Sequence, residues 1–303
     1  MHSEPRITIV LTTFNRAHFI RETLDSVLAQ NYKNWECIII DDNSIDDTSV
    51  IVEKYIETDK RLEYIVKEKC INKGLPASRN IGIKKAKGEY LVFFDDDDIV
   101  HPQLIECCVE SFKKKNISFV HYNKQSFEGD FDNYLLQPII VSETKLLGEN
   151  IYEKVILGTL PLASCTVMWK TALFKKNLFN EALMYAEEWE CYSRLLILNN
   201  LKGILINNFL YFNRKHIQSN TGEFWSNDKN RKESYIQAHK LVLELLIEKN
   251  KINRSLKKYF FQKSYVLKEK HIIDPLLDKN LINRISFFFY PIKYYLYKIV
   301  KEF

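Results

Sequence analysis

Apolar and polar positions alternate in blocks along the first 122 residues, and each block carries the period of one element. Ile7 to Phe14 form a continuous apolar and β-branched run of strand length, after which Ile20, Leu24, Val27 and Leu28 recur at helical spacing. The cycle then repeats. Trp35 to Ile40 predict a buried strand that ends in Asp41 and Asp42, followed by a helix through Val50, Ile51 and Tyr55 and a third strand over Leu62 to Val66. A helix from about Pro76 to Lys87 opens with proline, which is tolerated in a first turn. Glu89 to Phe94 form a fourth strand, Pro102 starts a helix with Leu104, Ile105, Cys108, Val109 and Phe112 on one face, and Ile117 to Tyr122 form a further strand. Strands alternating with helices predict an α/β fold with a mostly parallel central sheet flanked by helices.

From Asn123 to Asn150 the pattern loosens. Ser164 to Trp169 predict a strand, Glu187 to Leu198 a helix through Trp189, Tyr192, Leu195 and Leu196, and Gly203 to Phe212 another strand. Everything from Asn227 onward has helical character, which divides the chain into a first domain of residues 1–225, with halves of about 1–122 and 123–225, and a helical C-terminal region of 226–303.

At 303 residues and 46% hydrophobic, the chain has ample material for a core. Its six cysteines include no CxxC pair, so a reduced cytoplasmic setting is expected. The apolar stretch near the N-terminus stops at Asn15 and Arg16, too early for a secretory signal, and no run approaches the ~20 apolar residues of a membrane span. Charge is segregated: from Lys249 to Phe303 thirteen Lys and Arg face four Asp and Glu, a net +9, which leaves −4 for the rest.

Four successive aspartates, Asp95 to Asp98, close the fourth strand. Adjacent carboxylates repel, and at a strand end they suit a hard divalent cation with oxygen ligands. An acidic turn can also be solvated and cap the following helix. Polar clusters around Asn15, Asp42 and Asp97 all fall at strand carboxyl ends, where ligands of such sheets bind, and this favours a site.

Four ordered segments carry a resemblance: IVLTTFNR, IIIDDNSIDDT, ASRNIGIKKAKGEYLVFFDDDD and AEEWECYSRL. Together they resemble the family 2 glycosyltransferases, inverting enzymes of the Rossmann-like GT-A fold that use nucleotide sugars. The resemblance implies that Thr12, Phe14 and Asn15 lie at the nucleotide, that Asp42 accepts a hydrogen bond from a uracil ring N–H, and that Arg79 faces the diphosphate. It implies Asp97 and Asp95 as ligands of Mn²⁺ or Mg²⁺, Asp96 as a donor-side contact, and Asp98 as either functional or a turn residue. Glu188 would be the general base, with Glu187 and Glu190 as competitors and Trp189 beside the acceptor. His216, in NRKHIQSNT, would approach the metal or the diphosphate. The implied partners are a nucleotide-sugar donor, with uridine favoured, and an oligosaccharide or lipid-linked glycan acceptor.

Two rival readings are a sugar-phosphate nucleotidyltransferase and a noncatalytic nucleotide or divalent-ion binding module. The first lacks its expected glycine- and arginine-rich loop after Val10. In the tail, Phe287, Phe288, Phe289, Tyr290, Tyr294, Tyr295 and Tyr297 mix with Arg284, Lys293, Lys298 and Lys301. That composition suits peripheral contact with the inner face of an anionic membrane, or alternatively a packed helix pair or homodimer interface, and no nucleic-acid partner is expected.

Overall fold

The computed structural model describes residues 4–68, 74–114, 116–141, 143–216 and 229–277. Its first half runs β1 (Ile7–Thr13), α1 (Ile20–Leu28), β2 (Trp35–Asp41), α2 (Thr48–Thr58), β3 (Leu62–Val66), α3 (Leu75–Lys85) and β4 (Tyr90–Asp95). Both β1 and β2 are buried at all seven positions, because helices cover both faces, and this explains their unbroken apolar sequences. The helices are the crossovers that let β1 pair in parallel with β2 and β4, and β2 with β3.

The second half continues with β5 (Ile99–Val100), α4 (Leu104–Phe112), β6 (Phe119–Phe127), β7 (Thr144–Leu147), α5 (Ile151–Ile156), β8 (Val167–Lys170), α6 (Glu187–Leu198) and β9 (Gly203–Arg214). Three helices follow: α7 (Lys229–Glu248), α8 (Arg254–Leu267) and α9 (Asp274–Leu277). The described strands make one sheet in the order β3-β2-β1-β4-β8-β6-β9-β5, with β7 also on β9. Parallel pairing dominates the first half as the alternation predicts. In the second half only β6 and β9 pair in parallel, while β8, β5 and β7 join antiparallel.

Short β5, β7 and α5 lie where the sequence pattern is loose or interrupted, since two to six residues carry too little periodicity to register. The four aspartates therefore bridge β4 to β5 instead of leading straight into α4. Strand β6 runs on through Phe127 and so crosses the expected division at 122/123. The boundary expected near Trp225, Ser219 and the aromatic basic tail beyond Leu277 lie outside the described residues.

Ridge contacts are close where α3 crosses the sheet. A side chain at Gly82 would place Cβ 2.4 Å from a Val10 methyl, so only glycine permits this approach. One core packs α1, α2 and α4 on the sheet, and a second gathers Phe93, Trp169, Phe174 and Tyr192 under α5 and α6. A third cluster joins Val242, Leu243 and Leu246 of α7 and Leu256 and Phe260 of α8 to Ile156 and Ile197. The C-terminal helices are thus docked on the second half of the sheet domain. Among the described residues no helix is long and apolar enough to cross a membrane.

Candidate active site

Strand register holds three carboxyl ends level: Thr12 pairs with Ile40 on one side and with Asp95 on the other. A cavity of about 880 Å³ opens there, bordered by Thr12, Phe14, Asn15, Asp42 and all four aspartates. This is the rim where open α/β sheets bind ligands. Phe14 is 48% exposed, so its ring faces the cavity and is not a core contact. Asn15 adopts φ 52°, a region Asn enters readily, and joins two loops: its N–H donates to Ser44 Oγ (2.8 Å) and its Oδ1 accepts from Ile45 N–H (2.9 Å).

The neighbouring pair Asp41 and Asp42 divide their work. Asp41 is buried, accepting from Ser44 N–H at 2.7 Å and from the Tyr64 hydroxyl, and caps its loop. Asp42 borders the cavity, where its carboxylate accepts from Gly74 N–H (2.6 Å) and pairs with the buried Lys67 ammonium (2.5 Å).

The aspartate run is equally divided. Asp95 keeps its carboxylate one-third exposed, 3.6 Å from an Arg79 nitrogen. Burial raises its carboxyl above the usual range, Arg79 opposes this, and Asp97 and Glu188 add to the rise. Asp96 accepts from Phe14 N–H (3.1 Å) and lies 3.6 Å from Arg16, so beyond bordering the cavity it sets the position of the Phe14 backbone. Burial, then repulsion from Asp97, push its carboxyl up to about 7. Asp97 meets His216 Nε2 at 2.7 Å, which brings together two residues 119 positions apart that the sequence assigned to one metal. Asp98 is neither solvated nor a helix cap: it is buried and accepts from Arg214 N–H at 2.8 Å, because β9 passes directly over the β4–β5 turn.

These groups fit a hard divalent cation chemically. Asp95 and Asp97 supply the carboxylate oxygens that Mn²⁺ or Mg²⁺ takes, the His216 imidazole beside them favours Mn²⁺, and a cation would offset the repulsion from Asp97 that adds to burial in raising Asp95 and Asp96. Ligand atoms of Asp95, Asp98 and Cys165 also lie within 4.8 Å of one another. The Cys165 thiol is buried and held well above its ordinary range by that burial, so it is a protonated neighbour.

Three glutamates open α6 and complement its dipole. Arg79, sent from α3, is only 2% exposed and bonds Glu187 Oε1 (2.9 Å) and Ser164 Oγ (2.9 Å). It therefore ties carboxylates together beneath the cavity and is not a surface ion pair. Glu190 is buried in a two-point pair with Arg194, at 2.7 and 3.1 Å. Glu188 differs from both. Its Oε2 accepts from Ser164 N–H (3.0 Å) and lies 4.0 Å from Arg79, its side chain remains 31% exposed, and among the described residues nothing bonds Oε1.

Glu188 also borders a second cavity of about 500 Å³, which shares Asp95, Lys124 and Cys165 with the first. Trp189 stands in its wall and stacks on His239 of α7, ring centroids 4.3 Å apart at 19°. Sequence reasoning missed Ser164, Cys165, Lys124 and the α7–α8 wall. Arg214 carried a signal as a basic residue ending a strand; it bonds the Asp97 carbonyl (3.1 Å), the Gly129 carbonyl (2.8 Å) and Glu22 (2.8 Å), and so braces the aspartate turn.

Comparison with known proteins adds a family. The model of "Glycosyl transferase family 2" matches residues 8–183. An uncharacterized glycosyltransferase of Rickettsia conorii is 33% identical over 204 residues, which is 67% of this chain and 32% of the relative. The Escherichia coli UDP-Glc:alpha-D-GlcNAc-diphosphoundecaprenol beta-1,3-glucosyltransferase WfgD is 26% identical over 201 residues, 65% of this chain and 72% of that protein. The chain spans about a third of the length of the curated Rickettsia relative it matches. Among solved structures, residues 1–349 of S. aureus TarS in complex with UDP-GlcNAc superpose with a TM-score of 0.68 at 19% identity, covering 92% of this chain and 77% of that one. The likeness carries the fold, the GT-A arrangement expected from the sequence.

Proposed function

Because this chain belongs to glycosyltransferase family 2, we propose that it moves a single sugar from a nucleotide donor, uridine-linked, to a hydroxyl of an oligosaccharide or lipid-linked glycan, with inversion. One observation carries the reading: of the three glutamates in the first turn of α6, Glu188 keeps its side chain open, 31% exposed against 10% for Glu187 and 5% for Glu190, and it borders the smaller cavity.

In this reading the larger cavity takes the donor. Phe14 offers its ring to the base, and Asp42, fixed by Lys67 and Gly74, presents an acceptor carboxylate to the base edge. Asp95 and Asp97, with His216, would hold Mn²⁺ or Mg²⁺, which when bound supplies positive charge to the departing diphosphate. Arg79, bonded to Glu187 and 3.6 Å from Asp95, keeps those two carboxylates in place beneath the diphosphate position. The acceptor enters from the smaller cavity. Glu188 Oε1 takes the proton of the attacking hydroxyl as that oxygen bonds the anomeric carbon, and the bond to the diphosphate oxygen breaks on the opposite face, its electron pair leaving with the nucleotide. An α-linked donor gives a β-linked product.

The Ser164 N–H supports this role, since it fixes the carboxylate without neutralising it. A screen of nucleotide sugars with Mn²⁺, reading released nucleoside diphosphate, followed by anomeric assignment of the product, tests the whole reading. Within it, Glu188→Gln is expected to lower transfer by roughly 10²–10⁴-fold while donor binding survives. Near-normal turnover by that variant would sink the proposal.

A further inference from the structure

The smaller cavity has two ends of opposite character. Near the cavity junction stand Asp95, Glu187 and Glu188, answered by Arg79 and Lys124. The far wall is made by α7 and α8, from Tyr235, His239, Tyr259 and Lys263, with no carboxylate among them. Lys263 is half-buried there. Its Nζ donates to the Tyr235 hydroxyl (2.7 Å) and sits 5.4 Å from the ring centroids of both Tyr235 and Tyr259. Among the described residues no carboxylate pairs with it.

A cation drawn from water costs free energy, and two aromatic faces with one hydroxyl return only part of that cost. An anion arriving in the cavity would return the rest. The neighbouring stack is apolar and rigid. His239 lies 5.9 Å from the Tyr259 ring on one side and 4.3 Å from Trp189 on the other. Its Nδ1–H donates to the Tyr235 carbonyl (2.8 Å), which leaves Nε2 to accept from the Tyr259 hydroxyl (3.1 Å), so the ring is neutral and locked.

We propose that this far end is a subsite for an acceptor sugar bearing an oxyanion, a phosphate ester or a carboxylate, with Lys263 as the partner of the anion and Trp189, backed by His239, as the apolar surface beside the ring. The inference rests on the glycosyltransferase reading, since that reading makes the smaller cavity the acceptor side. It adds what the acceptor must carry. The composition of the wall separates it from a neutral-glycan site, which would be expected to present amide and hydroxyl partners in place of a cation.

The test is calorimetric titration of the full chain, preloaded with UDP and Mn²⁺. The probes are N-acetylglucosamine 1-phosphate, glucuronic acid and neutral N-acetylglucosamine, against wild type, Lys263→Met and Lys263→Arg. At least one anionic sugar should bind about tenfold or more tightly than the neutral one, Lys263→Met should erase that margin, and Lys263→Arg should retain most of it. Which anionic arm responds identifies phosphate ester or carboxylate. Equal binding of neutral and anionic sugars by wild type would overturn the proposal, a comparison that stands even where Lys263→Met fails to fold. So would an unchanged margin in a folded Lys263→Met. Loss of UDP binding by wild type would instead strike the glycosyltransferase reading itself, whereas UDP binding without any anionic preference refutes only the subsite.

Discussion

Arg79→Met is the most searching perturbation of the site, because it keeps the aliphatic stem and removes the one charge on which several carboxylates depend. Arg79 is 2% exposed, 2.9 Å from Glu187 Oε1 and 3.6 Å from Asp95 Oδ1. Without it, Glu187 is a buried carboxylate with no counter-charge, a change that costs about 3–5 kcal/mol in comparable pairs. Unfolding entropy of ~2.1 cal/mol/K per residue gives a chain of this size ~0.6 kcal/mol/K, so Tm should fall by roughly 5–8 °C. Changing the partner too, as Arg79→Met with Glu187→Gln, should restore roughly half or more of the loss, since no isolated charge is then left buried.

The deficit also has a pH signature. Burial raises the Glu187 carboxyl in the wild type and Arg79 opposes the rise, so the variant raises it further. A carboxyl whose folded value lies above its unfolded value binds its proton more tightly in the native state, which favours folding in acid and loses that advantage as pH rises through the folded value. The deficit of Arg79→Met should therefore be smaller at pH 5 than at pH 8. Calorimetric melts of wild type, both single variants and the double variant at those two pH values check the argument. A single Arg79→Met variant that melts within ~1 °C of wild type, or a deficit equal at both pH values, would refute it.

Other consequences are as direct. His239 is buried and neutral, its value lowered to about 3 by burial while the unfolded chain titrates near 6.5. Stability should fall as pH drops below about 6.5, by ~2 kcal/mol at pH 5, and urea unfolding of His239→Phe should lack this part of the acid dependence; parallel curves for the two proteins would contradict it. Gly82→Ala places Cβ 2.4 Å and 2.7 Å from the Val10 methyls, so despite better helix propensity it should destabilise by about 1–3 kcal/mol, and Val10→Ala in the same chain should recover part of that. Asp97→Asn should remove Mn²⁺-dependent release of nucleoside diphosphate, whereas Asp98→Asn should be milder, because the amide oxygen of an asparagine still accepts from Arg214 N–H; equal losses would speak against this division of the aspartates.

Much of this site was legible in linear order. Strands β1, β2 and β4 were visible as apolar runs because both their faces are buried, and each run stopped at the polar residues that now border the larger cavity. Less was legible after Asn123, where β6 alternates in burial, β7 is four residues long, and the strand expected from Ser164 starts only at Val167 because Ser164–Thr166 form a short 3-10 helix. Arg79 was visible as a residue of the site but not as the anchor of Glu187, and Asp98 was visible as a carboxylate but not as the acceptor for β9.

What the sequence determined by itself was whatever depends on neighbours along the chain: the period of each element, the polar residues that follow each strand, the concentration of carboxylates after β4, and the acidic first turn of α6. Tertiary structure decided which of those carboxylates are engaged. Glu187 is matched by an arginine 108 positions away, Asp98 by a backbone N–H 116 positions away and Asp97 by a histidine 119 away, while Glu188 keeps an oxygen without a described partner. It also placed His239 against Trp189 and Lys263 in the wall of the same cavity, which no local pattern links. The reason is physical: hydrophobic period is written into successive residues, whereas a carboxylate's protonation and its freedom to react are set by burial and by partners that only the folded chain brings within 3 or 4 Å.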